Sequence, residues 1–100
     1  MEPLKHLEKY NTKNSLWIYI LSLLRKERIH AWRFQSLIEK VFGFKPGKIT
    51  AYRVLYRLEA EGFVKSKMDK RRRNYSITKK GEKELILAKD FYKEILKKLE

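Results

Sequence analysis

Thr50-Ala51-Tyr52-Arg53-Val54-Leu55-Tyr56-Arg57-Leu58-Glu59-Ala60-Glu61-Gly62-Phe63-Val64 is the stretch whose reading decides the fold. Ala51, Val54, Leu55 and Leu58 recur at steps of three and four, the spacing that lines one side of an α-helix. Gly62 closes the run, because glycine adopts the left-handed conformation of a helix end at little cost. With that side inward, Ile49, Arg53, Tyr56, Arg57 and Ala60 turn outward, and Lys48, Thr50 and Tyr52 flank the first turn.

Upstream lie two more helical patterns. From Leu16 to Arg28, the residues Leu16, Trp17, Ile20, Leu21, Leu23 and Leu24 form a broad apolar stripe. Asn14 or Ser15 stands where a cap belongs, and Arg25, Lys26 and Arg28 fall in the expected last turn, where cations complement the helix dipole. Ile29 to Trp32 reads as a short connector. Phe34, Leu37, Ile38, Val41 and Phe42 then make a second core helix that Gly43 stops, and Phe44-Lys45-Pro46-Gly47 is a breaker-rich turn. Three successive helices point to a helix-turn-helix core. Ahead of them, residues 1–13 place Leu4, Leu7 and Tyr10 at threefold spacing, which suits a short helix against another apolar surface.

Downstream of Gly62 the period changes. Phe63 to Met68 and Asn74 to Ile77 read as two short strands separated by the basic run Asp69-Lys70-Arg71-Arg72-Arg73, which together form a wing. Thr78 can cap a last helix reaching about Leu99, with Leu85, Ala88, Tyr92, Ile95 and Leu99 on one stripe. The expected fold is mostly α with a small β-hairpin, a winged helix-turn-helix with a C-terminal dimerisation helix. Residues 1–100 form one domain: 1–78 the N-terminal helix, helix-turn-helix and wing, and 79–100 the dimerisation helix.

Together with Asn74-Tyr75-Ser76-Ile77-Thr78 and Gly81, the opening stretch resembles the PadR-like family of transcriptional regulators. Relatives carry Thr-x-Tyr-x-x-Leu-x-x-Leu-Glu through the recognition helix and Tyr-x-x-Thr-x-x-Gly leaving the wing, the latter filled here by Tyr75, Thr78 and Gly81. The likeness runs from about Ser15 to Leu99. Ala31 and Trp32 replace a usual Gly-Tyr pair, Pro46 and Gly47 sit earlier than the usual Pro-Gly, and Arg53 stands where many relatives have proline. The resemblance implies a sequence-specific regulator of double-stranded DNA, with repression as its expected mode, working as a homodimer without catalytic activity. It also implies that Tyr52 lies against the DNA backbone.

The composition agrees with that class. Of the 100 residues, 25 are Lys or Arg and 12 Asp or Glu, a net charge of +13 that favours a polyanionic partner. Most of the excess precedes residue 79, so the last helix is not the main DNA surface. Its apolar stripe, widened by Ile86, Leu87, Phe91 and Leu96, exceeds what one helix needs to cover its own domain. Leu85, Ala88, Phe91, Tyr92, Ile95 and Leu99, assisted by Leu4 and Leu7, are therefore the expected dimer contacts.

Lys48, Thr50 and Arg53 should meet base edges or phosphates from the first turns of the recognition helix, with Tyr52 and Arg57 beside them. Lys70, Arg71, Arg72 and Arg73 should reach phosphates or a minor groove, and Arg33 and Lys45 supply further phosphate candidates near two helix starts. Cysteine is absent, and His6 and His30 stand far apart with no metal-ligand spacing, so neither metal nor cofactor is expected. No nucleophile motif or phosphate loop appears. No apolar run is long enough to span a bilayer, and the expected location is cytoplasmic. Trp17 and Trp32 are candidates to line a pocket for a small aromatic effector at the dimer interface, since some relatives in the family that the chain resembles sense aromatic compounds. An RNA-binding or ribosome-associated module is the alternative function, and a wing that meets acidic protein surface is a third.

Overall fold

The computed structural model describes residues 2–100, and Met1, with which the first expected helix opens, lies outside them. Helix α1 (Pro3–Asn11) begins on a proline, whose fixed φ and missing donor suit a first helical position. None of its residues is buried. Polar bonds hold its end instead: the Tyr19 hydroxyl donates to the Asn11 carbonyl, and the Tyr92 hydroxyl donates to Asn11 Oδ1 at 2.9 Å.

A short 3-10 turn leads into α2 (Leu16–Leu24). Ser15 does not cap it, since its hydroxyl donates back to the Tyr10 carbonyl at 2.6 Å. Leu16, Ile20, Leu21, Leu23 and Leu24 are all buried, which makes α2 the centre of the core. The helix stops four residues short of Arg28, and Arg25 and Lys26 form the turn beyond it. No apolar side chain between Leu24 and Ile29 would reward another turn, and Ile29 is drawn elsewhere.

It enters a sheet. Ile29–His30 is strand β1, so the expected connector contains a third strand, with Ile29 opposite Tyr75 and His30 opposite Asn74. Two residues are too few to display the alternation that marks a strand in sequence. After a second 3-10 turn comes α3 (Phe34–Phe42), closed by Gly43 at φ +81°. Gln35 Nε2 donates to the Pro46 carbonyl at 2.8 Å, and Phe42 and Phe44 pack edge-on against Tyr19. These contacts fix the turn that delivers α4 (Lys48–Ala60).

Strands β2 (Val64–Asp69) and β3 (Arg72–Ile77) pair antiparallel, and the sheet order is β1-β3-β2. Pairing continues to Asp69 opposite Arg72, so Arg72 and Arg73 lie within β3 and not in the loop as expected. Only Lys70 and Arg71 remain at the tip, both left-handed at φ 48° and 69°. Paired left-handed residues match the twist of a two-residue hairpin turn, at some cost for side chains that carry a Cβ.

Helix α5 (Lys79–Leu99) starts where Thr78 Oγ1 accepts from the Gly81 amide at 3.1 Å while donating towards the Gly62 and Phe63 carbonyls. A Cβ on Gly81 would lie 2.1 Å from the Phe63 carbonyl oxygen, so the helix seats against the end of β2 only because that position is glycine. Leu85, one turn on, is buried with Phe34, Ile38, Ala51, Leu55, Leu58, Val64 and Tyr75 around α2. It therefore belongs to the chain's own core and offers nothing to a second copy, which corrects its expected place at a dimer contact.

Candidate nucleic-acid interface

The inward side of α4 is as the spacing requires: Ala51, Leu55 and Leu58 are buried and Val54 packs partly against the same core. Anchoring that side leaves Lys48, Ile49, Thr50, Arg53, Tyr56 and Arg57 exposed. Gly47 is extended and provides no side-chain cap, so the first amides of α4 have no partner within the helix. Lys48, Thr50 and Arg53 thus present donors over the helix's first turns, beside Ile49 and Tyr56, whose apolar surfaces suit thymine methyls or sugar edges. Tyr52 is half-buried and packs against the core, so only part of its ring is open to a ligand. Arg57 is exposed and lies 3.8 Å from Glu61 one turn on.

The other expected cations fall into distinct surroundings. Lys45 is exposed in the turn before α4. Arg33 is half-buried and 3.7 Å from Glu27, a contact that offsets part of its charge. At the hairpin tip Lys70 and Arg71 are fully outward, with no salt bridge among the described residues. Arg72 lies over the Trp32 ring at 5.3 Å. Arg73 Nη1 donates to Ser66 Oγ at 2.8 Å, and that hydroxyl donates to Glu59 Oε2 at 2.5 Å. Arg73 is therefore tied through Ser66 to α4, and the four adjacent cations of the sequence stand in different surroundings.

Sequence reasoning missed the Glu59–Ser66–Arg73 chain and the Trp32 stack. Both depend on strand register: Ser66 stands opposite Tyr75 on the helix-facing side, and Arg72 emerges on the other. The Tyr75 hydroxyl is buried on the helix-facing side without a partner among the described residues. Burial, and then the nearby Glu59 carboxylate, push its pKa up to about 12 against the opposing pull of Arg73. The phenol is held neutral.

Within one copy of the chain, Trp17 and Trp32 line no common pocket among the described residues. Trp17 borders a cleft of about 430 Å³ with Val54, Leu58, Phe63 and Arg57, behind α4, whereas Trp32 lies under Arg72. A larger groove of about 1030 Å³ runs between α1, α2 and α5, lined by Leu7, Ile18, Leu87, Phe91, Ile95 and Leu99 among others. Ala88 and Tyr92 line it half-buried, whereas Leu4, exposed on α1, is not among its lining residues. Among the described residues no His, Asp and Glu group is placed to hold a metal ion, and no helix is long and apolar enough to cross a membrane.

Solved structures share this architecture. A transcriptional regulator from Clostridium thermocellum superposes with a TM-score of 0.76 at 24% identity, covering 99% of this chain and 94% of that one. A PadR family transcription regulator from Clostridium difficile gives 0.74 at 24% identity, covering 81% and 90%. Bacillus subtilis PadR in complex with operator DNA gives 0.63 at 26% identity, over 70% of this chain and 44% of that longer one. A search of curated protein sequences returned no match. The family model described as "Transcriptional regulator PadR-like family" matches residues 20–86, from the core of α2 through the wing to the first turns of α5. With two thirds of its length matched, and with the fold to go with it, this chain belongs to the PadR-like family of transcriptional regulators.

Proposed function

We propose that the chain is a sequence-specific repressor that binds double-stranded DNA as a homodimer, with α4 in the major groove and the hairpin tip on the adjacent backbone or minor groove. The observation that carries this reading is the exposed row Lys48, Thr50 and Arg53, rigidly backed by Ala51, Leu55 and Leu58, next to a hairpin whose tip is Lys70-Arg71. A rigid helix presenting donors over its first turns is the arrangement that reads base edges, while a cationic tip supplies sequence-independent attraction. The operator complex of Bacillus subtilis PadR supports DNA as the polymer.

For the homodimer, the support is the apolar stripe of α5 beyond Leu85. Leu87, Phe91, Leu96 and Leu99 are each more than half exposed, as are Leu4 and Leu7 on α1. Pairing these surfaces about a twofold axis would cover both copies at once and present two α4 helices to symmetric half-sites.

Selection from random duplexes, followed by mobility shifts on the enriched sequence, tests the proposal. The expected result is an inverted repeat bound at least about a thousandfold more tightly than random duplex. Equal affinity for structured RNA would replace DNA as the target. Placed across a reporter promoter, the selected site should lower transcription when the protein is present, and increased output would make it an activator.

A further inference from the structure

The hairpin has two faces of different character. Val64, Ser66, Tyr75 and Ile77 point to the helices, two of them buried and Ser66 bonded to Glu59. By alternation Lys65, Lys67, Arg72, Asn74 and Ser76 point the other way, joined by His30 from β1. Arg28, just before β1, flanks the same face, and a groove of about 610 Å³ runs among Arg28, Lys65, Lys67, Asn74 and Ser76. Arg28, Lys65, Lys67 and Arg72 are exposed. The carboxylate on this face is Asp69, which sits 3.5 Å from His30 Nε2. A solvated sheet face ordinarily mixes signs; this one is cationic, with an amide and a hydroxyl on its floor as uncharged hydrogen-bonding groups.

We infer that this outer sheet face is a second phosphate-binding surface, engaging the flanking stretch of the same duplex beyond the segment that α4 reads. The inference rests on the proposed DNA-binding reading of α4 and the tip. Three features select duplex phosphate and select the flank. The face carries cations with little opposing charge, as a backbone bearing one charge per about 1.7 Å of helix axis requires. It is continuous with the proposed interface through Arg72, which adjoins the tip residues Lys70 and Arg71. It also lies on the side of the sheet away from α4, so a duplex running beneath α4 and the tip reaches it only by continuing outward.

The test compares the wild-type protein with an Arg28→Glu, Lys65→Glu, Lys67→Glu triple variant and a Lys65→Gln, Lys67→Gln double variant. Each is titrated on the selected operator core and on the same core extended at both ends by random sequence. Wild type should gain about tenfold or more in affinity from the extension, with a salt slope steeper by roughly 0.9 for each added phosphate contact. Both variants should bind the core as wild type does and lose most of that gain, the double variant less completely. If wild type gains nothing from the extension, or the double variant keeps the full gain and slope, the inference is overturned while the core reading stands. A gain produced by free random duplex added in trans, but not by extension, would overturn the assignment to the flank. Failure of wild type to prefer the selected core over random duplex would instead strike the underlying DNA-binding reading. Unaltered thermal unfolding of the double variant separates lost contacts from lost structure.

Discussion

The α4-and-hairpin surface and the α1-and-α5 surface are both exposed, yet they are exposed for opposite reasons. Every outward side chain of α4 is backed by buried ones, so its polar surface is the far side of a completed core. Helix α1 buries nothing, and α5 buries only Gly81 and Leu85 in its first two turns. The rest of α5 carries leucine, isoleucine and phenylalanine into solvent. The first surface is the polar back of a finished core, as the proposed DNA contact requires, whereas the second leaves apolar side chains uncovered, as the proposed dimer requires. The body of the molecule has its own buried core, while the apolar side chains of its ends are left for the proposed association to cover.

The largest expected effect breaks the second surface. Replacing Ile95 and Leu99 with glutamate should give a monomer in light scattering, because charge cannot be buried unpaired in such a seam. Loss of the tethered second half-site should weaken operator binding by roughly 10²- to 10⁴-fold. A variant with dimeric mass would show that this stripe is not the seam. Next, Leu85→Ala should cost about 2–5 kcal/mol of folding stability by leaving a cavity in the core. Phe91→Ala in the monomeric background should cost far less, and equal losses in chemical denaturation would erase the distinction between the two parts of α5.

Smaller effects sharpen the first surface. Arg53→Ala should reduce discrimination between operator and random duplex by about 1–3 kcal/mol, the worth of one good base contact. Equal loss on both duplexes would make Arg53 a phosphate ligand. Lys70→Ala with Arg71→Ala should lower the salt slope by about 2, with operator and random duplex affected alike. Arg73→Ala should change the slope less than either tip residue, because Arg73 is engaged with Ser66.

The smallest effect concerns Tyr75. Its folded pKa is raised to about 12 from 10.0, so the unfolded chain releases the proton first. The stability associated with the neutral phenol is present below pH 10 and is lost as pH climbs from 10 towards 12. Tyr75→Phe should flatten that decline relative to wild type, and at neutral pH it should be neutral or slightly stabilising, since the buried hydroxyl has no partner among the described residues to lose. Parallel alkaline unfolding curves for the two proteins would refute the assignment.

Much of this organisation was legible in the chain. The helices reveal themselves because burial against one core repeats at a fixed step, as in Leu16, Ile20, Leu21 and Leu24 or in Ala51, Leu55 and Leu58. The membership of Leu85 was not legible: on its stripe it is indistinguishable from Ile95, and only the seating of Gly81 against Phe63 brings the start of α5 onto the core. Strand β1 was hidden by its length of two residues. The basic run looked uniform because charge in a sequence says nothing of face. Pairing Met68 with Arg73 and Asp69 with Arg72 sends neighbouring arginines to opposite sides of the sheet, one towards Ser66 and the other onto Trp32.

The contact at Gly81 has mechanical reach. Helix α5 continues from that point to Leu99, so its far end lies about 27 Å away. A methyl group there would collide with the Phe63 carbonyl and the Ile77 side chain, and relief requires the helix to pivot. A tilt of ~10° at such a fulcrum moves the far end by ~5 Å, comparable with one full helical turn. In the proposed dimer the glycine would act as the fixed end of a lever arm, and the distance between paired reading heads, hence the spacing of operator halves, would be calibrated by an atom that is missing.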